Sequence, residues 1–155
     1  MQIAVCGPRE CSDDEARLAR RVGELLAVAG AVVICGGGSG VMAAVAAGAR
    51  SSGGVVIGIR PGDSRAGASP DLSATILTNL GEARNAVIVH SADAVIAIGG
   101  SWGTLSEVAL AVRRGTIPVV ALGGWRVVGE DGRPVPGITH VTTPDEAVRH
   151  ALHRA

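Results

Sequence analysis

Short apolar runs with helical patterning between them constrain this chain more than any other feature. Residues 3–6, 31–35, 55–59, 94–98, 118–122 and 138–141 are too short for buried helices, and the first five hold almost nothing polar. Strands of that kind are covered on both faces, the signature of βαβ units and a parallel sheet. The expected architecture is a single α/β domain over residues 1–155, with a doubly wound, mostly parallel sheet of six or seven strands and helices on both faces. Residues 75–78 are the candidate seventh strand. A chain of 155 residues can bury one such core and is too short for a second of ordinary size. Ligands of doubly wound sheets bind beyond the carboxyl ends of the strands where the strand order reverses, so the chemistry is expected in those loops.

The helices are announced by their ends. Ser12 with Glu15 forms a capping box, Leu18, Val22, Leu25, Leu26 and Ala29 share one face, and Gly30 supplies the stop. Thr143, Pro144 and Glu146 open the last helix in the same manner, with His150, His153 and Arg154 in its final turns where cations suit the dipole. Two polar Gly/Pro stretches are the expected long loops: 61–73, a candidate lid, and 129–137, a hairpin around Glu130-Asp131-Gly132. The uncharged stretch 25–49 is long enough to span a bilayer, but its glycines make a buried strand between two helices the better reading. The first residues carry no basic segment ahead of a long apolar run, so no signal peptide is expected.

Composition removes several function classes. Fourteen basic residues balance fourteen acidic ones, without the positive field expected of a protein that grips duplex phosphates. Trp102 and Trp125 are the only aromatics, too few for a single-strand stacking platform, so neither nucleic acid nor membrane is an expected partner. Every basic residue is Arg. Without lysine there is neither a pyridoxal phosphate Schiff base nor a Walker-type P-loop. Cys6, Cys11 and Cys35 are odd in number and lack CxxC spacing, which favours reduced thiols and a cytoplasmic location, with Cys6 and Cys35 as small core residues. His90, His140, His150 and His153 are scattered, so no metal site and no resident cofactor are expected.

Two glycine turns of one spacing carry the functional signal. Gly36-Gly37-Gly38-Ser39-Gly40 and Gly99-Gly100-Ser101-Trp102-Gly103 both read GG-x-x-G, each after a strand and each opening a helix, over 41–48 and 104–114. Such turns aim backbone N–H groups and a positive helix end at one crevice, where phosphate is the natural guest. The dinucleotide fingerprint G-x-G-x-x-G is absent, since the first strand is followed by Gly7-Pro8-Arg9 and Val41 stands where a third glycine would follow Gly36 and Gly38. Thr104 and Glu107 have capping-box spacing, so Glu107 either bonds back to the Thr104 N–H or sits beside a ligand's sugar as a functional carboxylate. Arg84, after Gly81-Glu82-Ala83, is either a solvated helix-end arginine or a phosphate partner for the second turn. Asp93 precedes a strand and is placed to tie down a neighbouring loop.

On these residues the chain resembles the LONELY GUY (LOG) and "possible lysine decarboxylase" superfamily of Rossmann-like proteins. That family's P-G-G-x-G-T-x-x-E signature is similar to Ile98-Gly99-Gly100-Ser101-Trp102-Gly103-Thr104-Leu105-Ser106-Glu107, with one residue more between the glycines and Ile98 for proline. Its G-G-G-x-x-G-L-M turn looks like Gly36-Gly37-Gly38-Ser39-Gly40-Val41-Met42, shortened by one, and its Arg-Lys pair stands here as Arg84-Asn85. The resemblance implies hydrolysis of the N-glycosidic bond of nucleoside 5′-monophosphates to free base and ribose 5-phosphate. It implies Arg84 and Glu107 as the catalytic pair, with Gly100, Gly103 and Thr104 around the phosphate. The departures place the chain nearer a short sister group similar to molybdenum-cofactor carrier proteins. The decarboxylase activity in the superfamily's name fails on the absence of lysine.

The expected ligand is a phosphorylated small molecule, a nucleotide or a pterin. Its contacts would come from Gly36, Gly37, Gly38, Ser39 and Gly40, from Gly99, Gly100, Ser101, Gly103 and Thr104, and from Asn85. Two functions stay open: a phosphoribohydrolase using Arg84 and Glu107, and a carrier that binds without turnover. The resemblance also implies a homodimer or higher oligomer, with an Ala-rich helix around residues 105–112 permitting close approach.

Overall fold

The computed structural model describes residues 1–153. Its chain order is β1 (Gln2–Cys6), α1 (Asp13–Val28), β2 (Val32–Cys35), α2 (Val41–Ser51), β3 (Val55–Arg60), β4 (Ala74–Leu77), α3 (Arg84–His90), β5 (Ala94–Ile98), α4 (Trp102–Arg114), β6 (Val119–Leu122), β7 (Thr139–Val141) and α5 (Pro144–Leu152). The strands form one seven-stranded sheet in the order β4-β3-β2-β1-β5-β6-β7, with every pair parallel. The expected α/β doubly wound sheet is present. Each strand lies within a residue or two of its apolar run, and the short run near residue 75 is the edge strand β4.

Burial explains the layering. The central strand β5 is buried along its whole length, whereas the edge strand β4 alternates with exposed positions and β7 begins exposed. Strand residues of one parity, such as Ile3, Val5, Val33 and Ile96, pack with α1, α2 and α5 on one face. Those of the other parity, such as Ala4, Cys6, Ile34 and Val95, pack with α3 and α4 on the other. Helices α1 and α2 cross closely because both contribute glycine. A Cβ on Gly48 would strike the Arg20 carbonyl, and one on Gly23 would strike the Val45 carbonyl.

The helix ends follow local chemistry. Ser12 Oγ accepts from the Glu15 N–H at 3.1 Å while Glu15 accepts from the Ser12 N–H at 2.8 Å, completing the capping box of α1. Thr143 and Glu146 do the same for α5, with Pro144 at its start and His150 in its last turn. His153 is its C-cap, and Arg154 lies outside the described residues. The uncharged stretch divides into the end of α1, all of β2 and most of α2, and among the described residues no helix is long and apolar enough to cross a membrane.

The two loops differ in how they are held. The Ser69 N–H donates to the Gly37 carbonyl at 3.0 Å and Arg60 Nη2 donates to the Ala66 carbonyl at 2.8 Å, so the 61–73 loop is fastened to the glycine turn after β2 and to the end of β3. Residues 129–137 contain the expected reversal, with the Gly129 N–H bonded to the Arg133 carbonyl at 2.8 Å and Val128 bridged to Pro134. Asp93 Oδ2 accepts from the Gln2 N–H at 2.9 Å, joining the starts of β1 and β5.

Candidate functional site

Strand order decides where a site can form. The chain builds outward from β1 through β2, β3 and β4, then returns to lay β5 against the opposite edge of β1. The carboxyl end of β1 is therefore the switch point. There the turn Gly7-Pro8-Arg9 lies between the two glycine turns that follow β2 and β5. A cleft of about 280 Å³ opens at this point, and its walls include Gly7, Arg9, Met42, Arg84, Ser101, Gly103, Thr104 and Glu107.

The second glycine turn faces this cleft. Helix α4 begins at Trp102, two residues earlier than its sequence suggests, because Ser101 is the N-cap: its extended backbone lets Oγ accept from the Thr104 N–H at 3.2 Å. Gly99, at φ +68°, is pressed against the Glu15 carboxylate, and a Cβ on Gly100 would meet the Trp125 indole at 2.5 Å. Both glycines are closely packed, and neither lines this cleft. Gly103 differs, since a Cβ there would have only Ser101 Oγ nearby, at 3.8 Å. Gly103 lines the cleft at the positive end of α4, where helix geometry leaves the first-turn N–H groups of Trp102 and Gly103 without intrahelical partners.

The first glycine turn is occupied internally. Gly36 lies under the Arg84 guanidinium and Met42, Gly37 donates to Cys35 Sγ at 3.4 Å, and Gly38 lies under Arg60. Ser39 Oγ donates to the Arg9 carbonyl at 3.3 Å, while Gly40, at φ +64°, abuts the carbonyls of Pro8 and Arg9. The Val41 N–H, in the first turn of α2, donates to the Pro8 carbonyl at 3.1 Å. None of Gly36, Gly37, Gly38, Ser39 or Gly40 lines the cleft. They hold up its wall.

Arg84 and Glu107 are brought together, from α3 and α4, over the end of β1. Arg84 Nη1 donates to the carbonyls of Gly36 at 3.0 Å and Ile59 at 2.6 Å, and its Nε is enclosed without a partner. It is a half-buried tether between strand ends, not a solvated helix-end arginine. Glu107 does not complete a capping box, because Ser101 takes the Thr104 N–H and Glu107 itself is buried, 8% exposed. Burial raises its pKa to about 7 against the opposing pull of the Arg84 charge and a hydrogen bond with the Cys6 thiol. Cys6 is itself pushed well above the ordinary thiol range, first by burial and then by the Glu107 charge. Burial also raises Cys35, to about 11. Desolvation lowers the pKa of Arg84, with Glu107 opposing.

Asn85 borders the cleft, but its amide is engaged with Ser106 Oγ at 2.9 Å, which binds the start of α3 to α4. Ser101 Oγ and Thr104 Oγ1 are 3.0 Å apart, a hydroxyl pair on the cleft's edge. Trp102 is 78% exposed and meets Trp125 edge-on, ring centroids 5.0 Å apart. Among the described residues no group of three or more His, Cys, Asp and Glu is placed to hold a metal ion.

The sequence reading missed Arg9, Met42 and the pairing of Cys6 with Glu107. Arg9 had one available signal: it stands in the turn after the strand from which the sheet is built outward in both directions. Cys6 gave none, because its partner is remote in sequence.

The family model described as the SLOG cluster4 family matches residues 1–148. The chain is 41% identical over 162 residues to an uncharacterised protein of Archaeoglobus fulgidus, covering 98% of this chain and 95% of that one. Its structure is similar to that of the molybdenum cofactor binding protein from the phototrophic bacterium Rippkaea orientalis, at 31% identity and TM-score 0.85, covering 96% of this chain and 93% of that one. It is also similar to the molybdenum cofactor carrier protein of Chlamydomonas reinhardtii, at 28% identity and TM-score 0.81, covering 96% and 94% of the two chains.

Proposed function

The chain belongs to the SLOG cluster4 family, and from that premise we propose that its cleft binds a phosphorylated pterin-type molecule of the molybdenum-cofactor class and holds it without cleaving it. The observation that carries this reading is the open first turn of α4, where Gly103 leaves space before N–H groups of positive character in the same cleft as Arg84. The likeness to the molybdenum cofactor binding protein of Rippkaea and to the molybdenum cofactor carrier protein of Chlamydomonas supports the pterin over other phosphorylated ligands. Asn85, where the LOG signature has lysine, supports holding over hydrolysis, since its amide joins two helices.

The deciding experiment is a thermal-shift panel of the molybdenum cofactor, nucleoside 5′-monophosphates and inorganic phosphate, with free base assayed in parallel. The reading expects selective stabilisation by the pterin and no base release. Equal melting temperatures with every ligand overturn it.

One observation favours the hydrolytic reading enough to keep it: a buried carboxyl, Glu107, with a pKa of about 7, beside a guanidinium. A carboxylate there would stabilise positive charge developing on a ribose as its base departs, while Arg84 and the α4 end hold the phosphate. Release of base that Glu107→Gln abolishes would establish it. Pairing of two copies belongs to the same proposal. The shallow groove between α3 and α4, lined by Ala83, Ala86, Ala109 and Leu110, supports it, and sedimentation velocity tests it.

A further inference from the structure

Two guanidinium groups line the cleft, and they are not equivalent. Arg84 is committed to the carbonyls of Gly36 and Ile59. Arg9 is exposed, and among the described residues its side chain has no hydrogen bond and no ion pair. Its backbone, by contrast, is clamped: Ser39 Oγ reaches the Arg9 carbonyl at 3.3 Å, the Val41 N–H holds the preceding Pro8 carbonyl at 3.1 Å, and Gly40 at φ +64° closes on both carbonyls. A free, permanently charged fork on a fixed stem, across a cleft from unsatisfied helix N–H groups, is the arrangement that suits a phosphate monoester.

Resting on the reading that the cleft takes a phosphorylated ligand, we propose that Arg9 is the side chain that grips the ligand's terminal phosphate, opposite the first turn of α4. The first glycine turn then acts through Arg9 and does not touch the ligand. This accounts for why that turn needs glycine at position 40 although none of its residues lines the cleft: any Cβ there would displace the Pro8 and Arg9 carbonyls and re-aim the guanidinium. It also divides the labour between the arginines. Arg84 sets the shape and potential of the floor, and Arg9 supplies the donors.

Isothermal titration of inorganic phosphate and ribose 5-phosphate into wild type, Arg9→Ala, Arg9→Lys and Gly40→Ala tests this. Arg9→Ala is expected to weaken ribose 5-phosphate binding roughly 10- to 100-fold, the loss of one charge-assisted partner, with Arg9→Lys recovering part. Gly40→Ala is expected to weaken it as well, and the double variant to bind no more weakly than Arg9→Ala alone. Should Gly40→Ala fail to fold, the two Arg9 variants decide the matter. Wild-type affinity in Arg9→Ala overturns the role of Arg9 and leaves the cleft reading intact. No binding of either probe to wild type overturns the cleft reading and this proposal with it.

Discussion

Replacing Glu107 with Gln should change how the stability of the protein depends on pH more than how stable it is at any one pH. Glu107 is 8% exposed, and burial lifts its carboxyl pKa from 4.5 to about 7. A carboxyl whose pKa is raised on folding binds its proton more tightly in the folded state. Its contribution is therefore fully present below pH 4.5 and declines as pH rises, levelling off once the folded pKa near 7 is passed. At 1.36 kcal/mol per pKa unit the decline is about 3 kcal/mol, and a side chain this buried is not discounted by solvent screening. Glutamine keeps the shape and carries no titrating proton, so Glu107→Gln lacks this slope. Urea unfolding of both proteins at pH 4 and pH 8 reads the difference directly. The gap between variant and wild type should move by about 3 kcal/mol in favour of the variant, or roughly 6–12 °C in melting temperature for a chain of this size. Parallel stability profiles for the two proteins would refute the argument, because they would mean that Glu107 titrates as an exposed acid and that the floor of the cleft is wet.

The packing account makes further predictions. Gly48→Ala should destabilise by about 2–4 kcal/mol in denaturant unfolding, because its methyl group meets the Arg20 carbonyl, whereas Gly53→Ala, at φ +75° with nothing within 4 Å, should cost only about 1–2 kcal/mol of backbone strain. Ser101→Ala should cost about 1 kcal/mol through the lost cap of α4, read by thermal unfolding. An aromatic disulfide reagent should label Cys11 ahead of Cys6 and Cys35, which stay unlabelled until unfolding: burial pushes all three thiols up, but Cys11 is only part-buried while the other two are enclosed. Fast labelling of more than one thiol contradicts the packing of β1 and β2.

Most of the fold was legible because its determinants are local. A run such as 94–98 has no face that tolerates water, so its strand follows from composition alone, and the box of Ser12 with Glu15 marks a helix start through bonds spanning three residues. The site was legible by half. Spacing located the two glycine turns, and the family resemblance paired Arg84 with Glu107, but spacing could not distinguish a turn that borders the cleft from one that buttresses a neighbour. That difference is made by Pro8 and Arg9 against Gly40, contacts across some thirty positions of chain. Glu107 shows the same limit. Its spacing from Thr104 fits a cap, and the outcome was set by Ser101 competing for the same N–H and by the pocket that β1 and α3 make for a carboxyl. Arg84 likewise is defined by two carbonyls far away in sequence, those of Gly36 and Ile59.

The central claim, that the end of α4 is where a phosphorylated ligand docks, is tested most directly by titrating isotope-labelled protein with the molybdenum cofactor or a nucleoside monophosphate and following backbone amide shifts. The largest changes are predicted at the amides of Trp102, Gly103 and Thr104, with smaller ones at those of Gly7 and Arg9. Shifts concentrated instead at the opposite end of the sheet, around Arg114 and Thr139, with the α4 amides unmoved, would contradict it.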